Sequence, residues 1–160
     1  CDEAGVDAIR YFFVARSPSS HLDFDIDLAT KQSNENPVYY VQYAHARMCS
    51  INKLASDAGI SLSDDIKLEL LDNPAEIELL KHLNDYISTI VEACKDRAPY
   101  RITNYAYKLA QLFHAFYSEC RVVDENNIEL STSRLALVES TRIVLKNALN
   151  LVGVNAPNKM

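Results

Sequence analysis

Four long stretches of this chain repeat their apolar side chains at the helical period, and no convincing run alternates as a strand would. That pattern restricts the fold more than any other feature of the 160 residues. Residues 73–94 show it most cleanly. Leu79/Leu80, Leu83, Tyr86/Ile87, Ile90/Val91 and Cys94 recur every three or four positions, as a core-facing helix stripe requires. Asn73 before Pro74, with Glu76 three residues past the cap, spells a capping box and marks where that helix begins. An earlier helix is expected from Pro37 to Ala58, capped by Asn36 and stopped by Gly59. A third runs from near Pro99 to Val122, with Ile102, Ala106, Leu109, Phe113, Phe116 and Cys120 inward. A fourth starts near Ser131 and ends before Gly153, offering Leu135, Val138, Val144/Leu145, Leu149 and Val152 to the core. Leu62, Ile66, Leu68, Leu70 and Leu71 make residues 60–72 a candidate for one more short helix.

Ahead of these lies a leader. Residues 5–16 read as a short apolar helix ending before Ser17-Pro18. An acid-rich loop to Asp27 and a short helical piece near 25–31 follow. The polar, turn-prone Gln32-Ser33-Asn34-Glu35-Asn36 sets the boundary. The expected fold is all-α: an antiparallel helical bundle over residues 32–160, preceded by a short helical leader over 1–31. With 48% hydrophobic residues and three glycines, the chain can bury a real core.

Charge and cysteine usage narrow the function classes. The net charge of −6 argues against a broadly basic nucleic-acid surface. Residues 1–35 hold seven acids and three bases, so much of the imbalance sits at the front of the chain and the rest is near neutral. Such a domain can bind RNA selectively through local Arg and Lys, with a shallow salt dependence. Cys1, Cys49, Cys94 and Cys120 form no C-x-x-C pair, and His21, His45, His82 and His114 show no ligand spacing. Buried reduced thiols in a cytoplasmic protein and no metal site are expected. Asp23, Asp25 and Asp27 lack the Gly turn and closing Glu of a calcium loop and read as a capped acidic loop. No apolar run is long enough to span a membrane. No secretory leader is apparent, and a start at Cys1 reads as a piece of a longer protein.

The helix beginning at Pro37 carries the densest chemistry. Tyr40, Tyr43 and Arg47 stand at i, i+3 and i+7, within an arc of about 60°. The apolar stripe Val41, Ala44, Met48, Ile51, Ala55 lies beside that arc. The helix can therefore pack on its stripe and still present two phenols and a guanidinium. Rings that stack on unpaired bases and an arginine for phosphate are how single-stranded nucleic acid is bound. From residue types alone, tyrosines that merely rim the core remain an alternative. His45 lies well off the arc and suits a structural hydrogen bond. Gln42 is either a base reader or solvated. His114 and Arg121, at i−3 and i+4 from Tyr117, extend a polar strip or a solvated helix face.

The string Asn36-Pro37-Val38-Tyr39-Tyr40-Val41-Gln42-Tyr43-Ala44-His45-Ala46-Arg47 closely resembles the start of the anticodon-binding domain of bacterial-type arginyl-tRNA synthetases. Gly5 to Phe13 and Ser20 to Asp25 resemble the end of that family's catalytic domain. Phe113 to Val122, Arg134 to Val138 and Leu151 to Met160 resemble its later helices and C-terminal tail. The resemblance implies an all-α anticodon-binding domain over 32–160 and the end of a catalytic domain over 1–31. It implies that the Gln32–Pro37 loop, with Asn34 and Asn36, holds the anticodon stem-loop. Tyr40, Tyr43, Arg47, Gln42, Tyr117 and Met160 are then further anticodon-binding residues. The tail, read without the family, is a frayed terminus. The implied partners are an arginine tRNA and the remainder of the catalytic domain, with no DNA and no membrane.

The signatures of catalysis are missing. There is no Gly-rich phosphate loop, no G-x-S-x-G and no paired-histidine helix motif. The His-Ile-Gly-His and Lys-Met-Ser-Lys-Ser type sequences of class I synthetases are absent too. The fragment is expected to be inactive alone and to need no cofactor, while ATP and Mg serve the full-length enzyme. Two rivals stay open: the related domain of another class I synthetase, such as the cysteine enzyme, and a helical protein-interaction module with no RNA role.

Overall fold

The computed structural model describes residues 4–17, 19–20, 23–63 and 66–160. Cys1, Pro18 and His21, named above, lie outside the described residues. Among those described are seven α-helices, one 3-10 turn at Leu68–Leu70 and no strand. They are α1 (Val6–Val14), α2 (Ile26–Thr30), α3 (Pro37–Asp57), α4 (Pro74–Asn84), α5 (Tyr86–Asp96), α6 (Tyr100–Glu119) and α7 (Ile128–Leu151). The fold is a helical bundle with α6 at its centre, packed on α3, α4, α5 and α7, while α3 and α7 also pack on each other. Phe113, Phe116, Met48, Leu79, Leu109, Leu145 and Leu149 are fully buried between these helices.

The local start signals act as their chemistry demands. Asn36 Oδ1 accepts the Val38 N–H at 3.2 Å, and Pro37 occupies the first helical position. Asn73 and Glu76 form the expected capping box. Asp25 caps α2 by accepting the Leu28 N–H at 3.0 Å. Gly59 follows α3 at φ 73, a left-handed conformation that suits glycine.

The stretch expected as one helix from Pro74 to Cys94 is two. Asp85 ends α4, with its N–H bonded to the His82 carbonyl at 3.2 Å, and its own carbonyl takes the Ser88 and Thr89 hydroxyls at 2.9 and 2.8 Å. These local side-chain bonds compete with an uninterrupted helix. The inward face of α5 is consequently Tyr86, Ile90 and Ala93, one position out of phase with the apolar residues Ile87, Val91 and Cys94. Those three are exposed, Ile87 by 68%. Of the three cysteines among the described residues, Cys120 is buried, Cys49 half-buried and Cys94 exposed, all three free.

Helix α7 begins three residues before Ser131, because Asn127 Oδ1 caps it through Leu130 N–H at 3.3 Å. Among its described residues the 60–72 segment forms the 3-10 turn and no α-helix. A buried ion pair joins α4 to α7: Arg134 Nε meets Glu76 Oε1 at 2.6 Å, and the Glu76 side chain is fully buried. Its other oxygen accepts the Asn73 N–H at 3.0 Å, and Arg134 also donates to the Arg121 carbonyl at 3.0 Å. Satisfying every atom in this way is what lets a carboxylate sit in a core.

The leader shares the bundle's core. Ala8, Tyr11 and Ala29 are buried in it, and the Tyr11 hydroxyl donates to the Thr103 carbonyl at 3.2 Å. The aromatic run Tyr11-Phe12-Phe13 with Phe24 is therefore not one exposed patch. Phe12 and Phe24 meet edge to face at 5.7 Å and are half-buried, leaving Phe13 exposed beside them.

Candidate nucleic-acid interface

Helix α3 has three longitudinal faces. Val41, Ala44, Met48, Ile51 and Ala55 are buried against the bundle. On one flank of that stripe stand Tyr40, Tyr43 and Arg47. Helix α6 meets this flank with Tyr107, His114 and Tyr117, and together they make one aromatic surface. Tyr40 packs on Tyr107 at 5.3 Å and on His114 at 5.0 Å. His114 lies nearly parallel to Tyr43 at 5.9 Å, and Tyr43 stacks on Tyr39 at 6.3 Å. At the other end the Arg47 guanidinium sits 4.9 Å from the Tyr117 ring centre and donates to its hydroxyl at 2.9 Å. A cation held over a ring is a weak, orienting attraction at an exposed site.

The electrostatics are those of a donor-rich, weakly cationic face. Burial, and then Tyr107, push the Tyr40 phenol above its ordinary range, so it stays protonated. Burial, and then Arg47, hold the His114 imidazole below its ordinary value, so it is neutral at pH 7. Arg47 is the fixed positive charge of the group. The hydroxyls of Tyr39, Tyr40, Tyr43 and Tyr107 have no hydrogen-bond partner among the described residues. Tyr43, 39% exposed, is the most accessible large ring of the α3 row.

The third face of α3 carries the tail. Gln42, His45 and Cys49 also stand at i, i+3 and i+7, about 160° round the helix from the aromatic row. The Gln42 amide donates to the Asn155 carbonyl at 2.9 Å and to Asp7 Oδ2 at 2.8 Å. His45, completely buried, donates from Nδ1 to the Pro157 carbonyl at 2.8 Å. The Cys49 thiol reaches Asn158 Oδ1 at 3.6 Å. The tail is thus bound along α3 rather than frayed, and Val154, 2% exposed, anchors it in the core. After a bend at Asn158, Met160 stands 51% exposed. It lines a cleft of about 570 Å³ with Tyr39, Gln42, Lys31, Gln32 and Gly5.

Each residue expected at the site has a definite place. Tyr40, Tyr43, Arg47 and Tyr117 share the aromatic face, and Met160 lines the cleft that Tyr39 also borders. Asn34 is exposed in the loop before α3. Asn36 is 3% exposed, and its amide donates to the Ala29 and Lys31 carbonyls at 3.0 and 2.9 Å while its oxygen caps α3. Its side chain shapes the loop from within and offers no atom to a ligand. The Gln42 amide nitrogen is likewise engaged inside the protein. Arg121 donates to the Val123 carbonyl at 3.0 Å. Tyr39 and Tyr107 were not singled out from the sequence, and His114 only as a flank of Tyr117. Tyr39 precedes Tyr43 by four, a spacing that brings helix neighbours together. No local signal pairs Tyr107 and His114 with α3. Among the described residues no group of three or more His, Cys, Asp or Glu is placed to hold a metal.

Comparison with known proteins gives this surface a context. The profile of the DALR anticodon binding domain matches residues 41–160. The arginine–tRNA ligase of Shouchella clausii is 52% identical over 159 residues, which is 99% of this chain and 29% of that protein. The arginine–tRNA ligase of Geobacillus kaustophilus is 53% identical over 160 residues, again 99% of this chain and 29% of the relative. The chain thus spans under a third of the length of the curated relatives it matches. The solved Thermus thermophilus arginyl-tRNA synthetase superposes with a TM-score of 0.81 at 29% identity, covering 99% of this chain and 27% of that one. With the profile covering three quarters of its length, the chain belongs to the DALR anticodon binding domain family.

Proposed function

We propose that this chain reads the anticodon loop of an arginine tRNA as the C-terminal part of an arginine–tRNA ligase. The observation that carries the proposal is the α3–α6 surface, where four tyrosine hydroxyls have no partner among the described residues beside an exposed Arg47. Flat rings accept splayed bases, and the free hydroxyls and guanidinium supply donors for base edges and phosphates. Each stacked base contributes about 1–3 kcal/mol. Tyr40, Tyr43, Arg47, Tyr117 and Met160 are the contact residues. Asn34 lies in the loop that flanks the stem, and Asn36 and Gln42 act by holding that loop and the tail in place.

Recognition works by positioning. Binding the opened anticodon loop here sets the tRNA so that its acceptor end reaches a distant active site. All arginine codons carry G in the middle, so the middle anticodon C is the base most tightly read. Residues 1–31 are the end of the catalytic body, and the chain alone does not activate arginine. ATP and Mg²⁺ are then required by the full-length ligase and not by this chain. No helix among the described residues is long and apolar enough to cross a membrane, and the proposed setting is the cytoplasm.

The test is a titration with an arginine tRNA and with the same tRNA carrying G at the middle anticodon position, at fixed moderate salt. Markedly weaker binding of the altered tRNA is expected. Equal binding of both would reduce the reading to RNA binding without anticodon specificity, and no binding of either would reject it for this chain.

A further inference from the structure

We propose that Asp7, Gln42 and His45 are positioning residues for anticodon recognition: they hold the tail as a strap and so set Met160 beside Tyr39. The inference rests on the anticodon reading above and assigns a role to groups that lie outside the aromatic row of α3. Three observations carry it.

The side chains of α3 grip the tail mainly by its backbone. Gln42 and His45 donate to the carbonyls of Asn155 and Pro157, so what they define is the register of the tail rather than its side-chain identity. His45 is suited to that task. It is fully buried, burial holds it neutral, and a neutral ring that donates from Nδ1 keeps one tautomer.

Asp7 ties the same point to the leader. Its Oδ2 accepts from Gln42, while Oδ1 accepts the Asn155 amide at 3.0 Å and the Asn155 backbone N–H at 3.3 Å. One carboxylate therefore joins α1, α3 and the tail.

The strap stops short of its end. Past Asn158 no side chain of the described residues hydrogen-bonds the tail, and Met160 lies half exposed in the cleft it shares with Tyr39 and Gln42. A thioether is a good apolar surface for a base, but a free tail would have to be ordered on binding. Fixing residues 155–158 beforehand lowers that ordering cost without any contact to RNA.

The chain has two methionines, Met48 in the core and Met160 in the cleft, so carbon-13 methyl labelling gives one resonance for each. In His45→Phe, which keeps a ring but loses the donor, the Met160 resonance should move toward its unstructured position and Met48 should stay. Affinity for an arginine tRNA should fall about tenfold. In a variant ending at Val154 the same substitution should change affinity less than about twofold, because the residues act through one another. If His45→Phe does not fold, Gln42→Leu, on a half-buried side chain, carries the same test. An unmoved Met160 resonance, or equal weakening with and without the tail, overturns the proposal. Disorder of Met160 with undiminished affinity overturns the positioning role alone. Affinity indifferent to Tyr40→Ala plus Tyr43→Ala instead overturns the anticodon reading itself.

Discussion

Two clusters of tyrosine and histidine sit on opposite parts of α6, and they differ in one respect. In the first, between α4, α5 and α6, His82 stacks on Tyr105 at 4.3 Å and Tyr86 packs on the same ring at 5.4 Å. The Tyr105 hydroxyl donates to the His82 carbonyl at 2.9 Å, and His82 Nε2 donates to the Tyr105 carbonyl at 3.1 Å. His82 and Tyr105 satisfy each other, and the Tyr86 hydroxyl is the one phenol of this cluster with no partner among the described residues. In the second, between α3 and α6, the rings of Tyr39, Tyr40, Tyr43, Tyr107 and His114 also pack together, but the phenols end without partners. Residue type and ring packing are alike in the two places. Four unpaired phenols along one edge beside an exposed arginine, against the lone Tyr86 hydroxyl of the other cluster, separate a surface built for binding from a lock that holds helices together.

The sharpest separation should come from Tyr40→Ala combined with Tyr43→Ala. If each ring stacks one base, affinity for an arginine tRNA should fall by about 2–6 kcal/mol, with the helical circular dichroism unchanged. An unaltered affinity would erase the distinction between the clusters. The converse is Tyr105→Ala, which should cost about 3–5 kcal/mol of unfolding free energy in urea titration and leave the affinity of the folded fraction unchanged. A tRNA defect in that variant would show that the locked cluster also contributes to binding.

A finer comparison uses hydroxyls alone. Tyr105→Phe removes a satisfied bond, although the His82 carbonyl keeps the Asp85 N–H, at about 1 kcal/mol of stability. Tyr43→Phe removes a group with no internal partner and should change stability by less than about 0.5 kcal/mol, with its effect confined to RNA affinity. Denaturant midpoints of the two variants compare them directly.

The mildest effect concerns pH. Burial lowers the pKa of both His114, in the open cluster, and His45, under the tail. In the unfolded chain these groups take up protons near pH 6.5, while in the folded chain they resist. The unfolded state therefore binds more protons below that pH, and stability declines as pH falls from about 7.5 to about 5.5. Urea midpoints should decrease over that window, and His114→Phe should remove part of the decrease. A flat profile would place both imidazoles in surroundings more polar than the packing implies.

What could be read along the chain was local. The caps at Asn36 and Asn73, the Gly59 stop and the inward row of α6 each follow from backbone valence and helix period within a few residues. So does the grouping of Tyr40, Tyr43 and Arg47, whose relative angles are set once α3 is a helix. The break at Asp85 was hidden because the apolar residues on either side keep the period of one continuous helix. The bundle turns the phase of α5 by one position and leaves Ile87, Val91 and Cys94 outside.

The sequence by itself determined the helices, most of their ends and the row of phenols and guanidinium on α3. Tertiary structure decided which residues meet that row and which support it. His114 and Tyr107 reach α3 from α6, Gln42 and His45 are taken by a tail more than a hundred positions away, and Asp7 closes the junction from the leader. The physical reason is reach. Capping and helical period act over one or two turns of backbone. A donor on one helix finds its acceptor on another only after burial of the core has fixed the distance between them.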